Sequence, residues 1–177
     1  ERRISKRLKW ALLLLLLLAL PMQANSELTN ITVGLGAGDD EITSSRAALV
    51  QTLDPFWFGH LFPRLAVQVE YGVNRWQADA TTHYAYSLLP VLRWNWHPSG
   101  EWQWFSELAI GGSYLEENEI AGRQLGSHLQ FETRAGLGVT HERWSWALRG
   151  YHYGNGGLSS PNGGLNLLNL EMAWRLP

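Results

Sequence analysis

The chain has 177 residues, with 14 basic and 16 acidic side chains, 18 Gly, 10 Trp, 6 Tyr and no Cys. Without cysteine there is no disulfide framework and no thiolate chemistry. Beyond a basic leader the balance is nine arginines against fifteen acids, a net charge of −6, and an acidic body argues against nucleic acid as a partner.

The leader comes first. Arg2, Arg3, Lys6, Arg7 and Lys9 precede an almost all-leucine run from Trp10 to Leu20, broken by Pro21, with Ala24-Asn25-Ser26 offering small residues for cleavage. This is the pattern of a secretory signal peptide over 1–26. The run is well short of the roughly 20 residues a spanning helix needs. Residues 27–177 then form one domain. An exported chain without cysteine must hold itself by another device, and barrel closure is one.

The first expected strand is 31–38, Gly-rich, ending at a turn begun by Asp39-Asp40. The second is 47–53, with weak alternation, closed by Asp54-Pro55. Phe56-Trp57-Phe58 and Phe62 make an aromatic cluster suited to a membrane interface. In the third strand, Leu65, Val67, Val69, Tyr71 and Val73 share one face, with Ala66, Gln68, Glu70 and Gly72 on the other. That period of two sends successive side chains to opposite faces. Residues 74–82 read as a polar loop.

The fourth strand sets Tyr84, Tyr86, Leu88, Leu92, Trp94 and Trp96 against Ala85, Ser87, Arg93 and Asn95, and Pro90 within it implies a bulge or local distortion. A tight turn at 97–100 leads to a fifth strand, with Trp102, Trp104, Leu108, Ile110 and Tyr114 opposite Gln103, Glu107 and Ser113. A long loop over 116–126 precedes the sixth strand, Leu129, Phe131, Leu137 and Val139 against Gln130, Glu132 and Arg134. After a turn at His141-Glu142, the seventh places Trp144, Trp146, Leu148 and His152 opposite Ser145, Arg149, Tyr151 and Tyr153. The eighth places Asn166, Leu168, Leu170, Met172 and Trp174 opposite Asn169, Glu171 and Arg175.

The fold class expected is therefore all-β: an eight-stranded antiparallel transmembrane β-barrel, apolar outside, with aromatic girdles. Glu70, Glu107, Glu132 and Glu171 with Arg93, Arg134, Arg149 and Arg175 should pair as an ionic plug of the lumen, because a buried unpaired charge is costly. Long connections at 74–82, 116–126 and 155–164 alternate with short turns at 97–100 and 140–142. Outer-membrane barrels keep their long loops outside, so the 155–164 loop and His152 belong at the outer leaflet. A polar side chain in a lipid-facing register is expensive and points to function; His152 and Asn166 both sit in that register.

The stretch Tyr151-His152-Tyr153-Gly154-Asn155-Gly156-Gly157, followed by Pro161-Asn162 and Gly164-Leu165-Asn166, resembles the signature of the PagL-type lipid A 3-O-deacylases. Further likeness runs through Pro90 to Arg93, Glu107 to Tyr114, Arg123 to Ser127 and Gly136-Leu137-Gly138. The resemblance implies a cofactor-free esterase of the Gram-negative outer membrane, acting on lipopolysaccharide, its lipid A the substrate, with a serine nucleophile, a histidine base and an orienting acid. It makes His152 the base and Asn166 its orienting partner, and it puts Gly154 where the family has serine. Asn155 with the backbone N–H groups of Gly156 and Gly157 would form the oxyanion hole. Ser159 and Ser160 are weak substitute nucleophiles. No metal is implied, and a homodimer stays open. The alternatives are an inactive relative that binds lipopolysaccharide and a purely structural barrel.

Overall fold

The computed structural model describes residues 28–53, 61–78, 80–96 and 101–177. The expected signal peptide, the Phe56-Trp57-Phe58 cluster and the 97–100 turn lie outside the described residues. The strands are β1 (Leu28–Gly38), β2 (Thr43–Leu53), β3 (Leu65–Ala78), β4 (Thr81–Asn95), β5 (Trp102–Leu115), β6 (Glu119–Ile120), β7 (Arg123–Gln124), β8 (Leu129–His141), β9 (Trp144–Gly154) and β10 (Leu165–Arg175). Eight of them close into an antiparallel barrel in the order β1-β10-β9-β8-β5-β4-β3-β2; β6 and β7 form a small hairpin in the β5–β8 loop. Closure is made by β1 on β10, from Asn30↔Arg175 to Gly38↔Leu167.

Alternation decides which way each side chain points. Leu35, Leu108, Ile110, Leu129, Leu137 and Leu170 are all more than 60% exposed on the outer wall, where a solvated protein would hide them and a bilayer welcomes them. Trp94, Trp96, Trp102 and Trp104 are exposed at the barrel end remote from His152. Trp102 packs on His141 and Trp146, and Trp144 on Trp174, with centroids 4.5, 6.2 and 4.4 Å apart. These rings form a girdle of the kind that sits at headgroup depth.

Inside, two layers fill the lumen. The middle is ionic. Glu70 accepts from Arg46 at 2.8 Å and Arg134 at 2.7 Å. Glu132 pairs with Arg46 at 3.1 Å, and Glu107 with Arg134 at 3.1 Å and Arg149 at 2.7 Å. Arg149 reaches Glu171 at 2.5 Å. Glycines make room for these bulky groups: a Cβ on Gly34 would fall 2.3 Å from Glu171, and one on Gly72 would fall 2.5 Å from Arg46. Towards the His152 end the lumen turns apolar, with Ile42, Trp76, Leu115, Ile120, Leu125, Tyr151, Tyr153 and Leu165 in one cluster. Trp76 meets Tyr153 edge-on at 4.8 Å. Ile120 and Leu125 come from the β5–β8 loop, so this plug anchors the loop over the barrel mouth.

Several expectations are corrected. Residues 74–82 are not a loop: β3 runs to Ala78 and β4 starts at Thr81. Alternation continues there with polar residues outward (Arg75, Gln77) and Trp76 and Ala78 inward. The connection from β2 to β3, at the opposite end, is long, so loop length does not separate the two ends. Arg46 joins the lumen network because β2 begins at Thr43. Arg175 is exposed at the barrel rim, and Arg93 lies over the Phe105 ring at 3.5 Å and donates to Thr140. At Pro90 the expected bulge or local distortion takes the form of a break in one ladder, without a bulge. The β3–β4 register is continuous through Val69↔Pro90, and the β4–β5 register is the same on both sides of an unpaired Leu89-Pro90 step. A residue without an N–H interrupts the ladder without shifting it.

Candidate functional site

His152 stands near the end of β9 and faces outward; Asn166 is directly opposite it on β10. Cross-strand partners on one face have their Cβ atoms about 4.5–5.5 Å apart, and here the side chains meet: His152 Nδ1 lies 2.8 Å from Asn166 Oδ1. An amide oxygen only accepts, so Nδ1 carries the proton and Nε2 is left as the basic nitrogen.

Nε2 looks along β9 to position 154. A Cβ there would lie 3.1 Å from His152 Nε2 and 3.6 Å from Asn162 Oδ1. The two-residue offset returns position 154 to the outward face, as the sequence periodicity implies. The backbone of Gly154 is not in the left-handed region, unlike Gly156 at φ 62° and Gly157 at φ 75°. Gly154 has no hydroxyl to offer.

The 155–164 loop is tied down by its asparagines. Asn155 Nδ2 donates to Leu125 O at 2.9 Å and lies 3.4 Å from Pro161 O, and Asn155 Oδ1 accepts the Gly157 N–H at 2.9 Å. The Asn155 N–H donates to Asn162 Oδ1 at 3.1 Å. Asn155 is 2% exposed, and its amide holds the loop together. The N–H groups of Asn155 and Gly157 are engaged within the loop, while the Gly156 N–H has no partner among the described residues. Ser159 donates to Gly126 O at 2.6 Å, which ties it to the β5–β8 loop.

Two residues that sequence reasoning did not single out complete the site. Asp39, in the 3₁₀ turn Asp39–Glu41, accepts from the Asn166 N–H at 3.1 Å and from Asn166 Nδ2 at 2.9 Å. Arg123 straddles Asp40 at 2.9 and 2.7 Å and donates to Gly164 O at 3.0 Å. It joins the β1–β2 turn, the β5–β8 loop and the β9–β10 loop. Asp39 and Asn166 are 127 residues apart in the chain, and barrel closure alone brings them together.

Below His152 the outer wall carries a groove of about 750 Å³ that also touches Asn166, Gly150, Ala135, Ala109 and Pro90, with Leu92, Leu108 and Ile110 along it. Its floor is low because Ala135 pairs with Gly150, between Thr133↔His152 above and Leu137↔Leu148 below. An apolar trough ending at an imidazole suits an extended hydrocarbon chain with a polar group at its head.

Comparison with known proteins bears on the family and the fold. Residues 46–175 match the family described as "Lipid A 3-O-deacylase (PagL)". The chain is 28% identical over 158 residues to a lipid A deacylase PagL of Bordetella bronchiseptica, covering 86% of each chain. It is 25% identical over 150 residues to one of Pseudomonas aeruginosa, covering 83% of this chain and 86% of that one. Among solved structures, that of the outer membrane enzyme PagL superimposes with a TM-score of 0.75 at 25% identity, covering 83% of this chain and 99% of the other. Neisserial surface protein A, at 8% identity and a TM-score of 0.50, shares the barrel fold.

Proposed function

The chain belongs to the lipid A 3-O-deacylase (PagL) family of outer-membrane barrels, and from that premise we propose that it hydrolyses the 3-O-acyl ester of lipid A in the outer leaflet, with His152 as general base. The observation that carries the reading is the aim of His152. Its Nδ1 is engaged by Asn166, and its Nε2 faces position 154 at the head of an apolar groove.

With glycine at 154, the nucleophile in this reading is water. A water oxygen in the space that a side chain would take has two acceptors at hand, His152 Nε2 and Asn162 Oδ1. Nε2 takes one proton as the oxygen attacks the ester carbonyl. Of the groups that the resemblance assigns to the oxyanion hole, the Gly156 N–H meets the tetrahedral oxyanion in this reading. Collapse breaks the bond to the sugar oxygen, which receives the proton from His152. The products are a free fatty acid and a sugar 3-hydroxyl. The acyl chain lies in the groove over Ala135 and Gly150, so the lipid stays in its leaflet throughout.

A second reading is favoured by Gly154 itself: a relative that has lost its nucleophile and keeps lipopolysaccharide binding. Purified protein incubated with lipopolysaccharide separates the two. Release of 3-hydroxy fatty acid that disappears in His152→Ala supports hydrolysis. Binding of lipopolysaccharide without release supports the second reading.

A further inference from the structure

We propose that Asp39 is the carboxylate of the His152 site and acts through Asn166 as a positioning residue. Its catalytic meaning rests on the hydrolytic reading above; its existence rests on geometry. A primary amide has two faces, one donating and one accepting, and a histidine nitrogen can pair with either. Left alone, Asn166 would hold either imidazole tautomer. It is not left alone. Asp39 Oδ2 accepts both from the Asn166 backbone N–H at 3.1 Å and from Nδ2 at 2.9 Å. A carboxylate only accepts, so the amide nitrogen must face Asp39 and Oδ1 must face His152, at 2.8 Å. Nδ1 is then the protonated nitrogen, and the lone pair of Nε2 is directed to position 154, where a Cβ would lie 3.1 Å away.

Asp39 is itself held for this task. Arg123 gives its two short bonds to the neighbouring Asp40, at 2.9 and 2.7 Å, and lies 3.4 Å from Asp39 Oδ2. Asp40 therefore takes most of the guanidinium, and the closer hydrogen bonds to Asp39 Oδ2 are those from Asn166. The chain His152–Asn166–Asp39 is a base, an orienting amide and a carboxylate in series.

The test reads the tautomer directly. The full chain, with ¹⁵N-labelled histidine, is folded in detergent micelles, and the ring-nitrogen shifts are recorded where the imidazoles are neutral. His152 is assigned by His152→Gln. His128, whose Nδ1–H donates to Leu115 O at 2.9 Å on another strand junction, serves as the internal reference. Expected is an Nδ1–H tautomer for His152 in the unsubstituted protein, a shift towards Nε2–H in Asp39→Ala, and recovery of Nδ1–H in Asp39→Asn, which restores an acceptor oxygen. Should Asp39→Ala fail to fold, Asp39→Leu is read in its place. An unchanged Nδ1–H signal in the loss variant, or Nε2–H in the unsubstituted protein, overturns the proposal. In a Gly154→Ser background, Asp39→Ala should lower kcat for fatty acid release about tenfold or more with KM held. If no form releases fatty acid, the hydrolytic reading fails, and the tautomer alone decides the role of Asp39.

Discussion

Restoring the missing hydroxyl is the sharpest perturbation the site allows. In Gly154→Ser the new Cβ lies 3.1 Å from His152 Nε2. That is tight, so the imidazole must yield by a few tenths of an ångström, and as an exposed, outward-facing ring whose hydrogen bond among the described residues is to Asn166 it has room to do so. The Gly154 backbone is outside the left-handed region, so serine there is not strained. Its hydroxyl can reach the roughly 2.6–3.2 Å from Nε2 that proton transfer requires. Base assistance of a held nucleophile is worth about 10²–10⁴-fold. Part of this is already used if His152 drives water, so we expect a gain of about 10²-fold in fatty acid release over the unsubstituted protein, abolished by adding His152→Ala. The assay is release of 3-hydroxy fatty acid from lipopolysaccharide by detergent-solubilised protein, with folding checked by heat-modifiable gel mobility. Equal release from a folded Gly154→Ser protein would refute the argument that Nε2 is aimed at position 154.

Other perturbations probe the groove and the scaffold. Ala135→Trp puts a large ring on the groove floor and should cut release about tenfold or more, the scale of one misfit group in an apolar pocket, with lipopolysaccharide titration as the check on whether KM rises. Glu70→Ala strips Arg46 and Arg134 of a shared carboxylate, and breaking buried pairs costs about 3–5 kcal/mol. Urea unfolding followed by tryptophan emission should show that loss, and a change below about 1 kcal/mol would mean the network is not structural.

The barrel was legible because lipid and lumen enforce opposite polarities on alternate residues, and the sequence writes that period plainly from Leu65 to Val73 and from Leu165 to Trp174. Polarity misled where the strands leave the apolar slab. Arg75, Gln77 and Thr82 lie above it, with Arg75 donating to the other two, so a strand reads as a loop. Arg46 does not read as a lumen residue for a similar reason: its outward neighbours Thr43 and Ser45 are polar, so alternation places the start of β2 later. Tyr151 and Tyr153 face the lumen as their alternation with His152 implies, whereas Trp76 and Phe105, also buried there, carry no such sign in the sequence. In the site, the register of His152 and Asn166 followed from counting along two strands. Asp39 could not be found this way. It meets Asn166 only because β1 closes on β10, and a contact across 127 residues leaves no local trace. Asn155 shows another limit: its place in a loop motif points to an oxyanion contact, and the bonds of its buried amide to Leu125 and Gly157 leave no mark in the sequence.

The proposed hydrolysis rests on His152, with glycine at position 154. Mass spectrometry of lipid A from Gram-negative cells producing the unsubstituted protein or His152→Ala, both present and folded in the outer membrane, tests it most directly. Expected is a lipid A species lighter by one 3-O-linked acyl chain in the first cells and its absence from the second. Identical spectra from the two would contradict it.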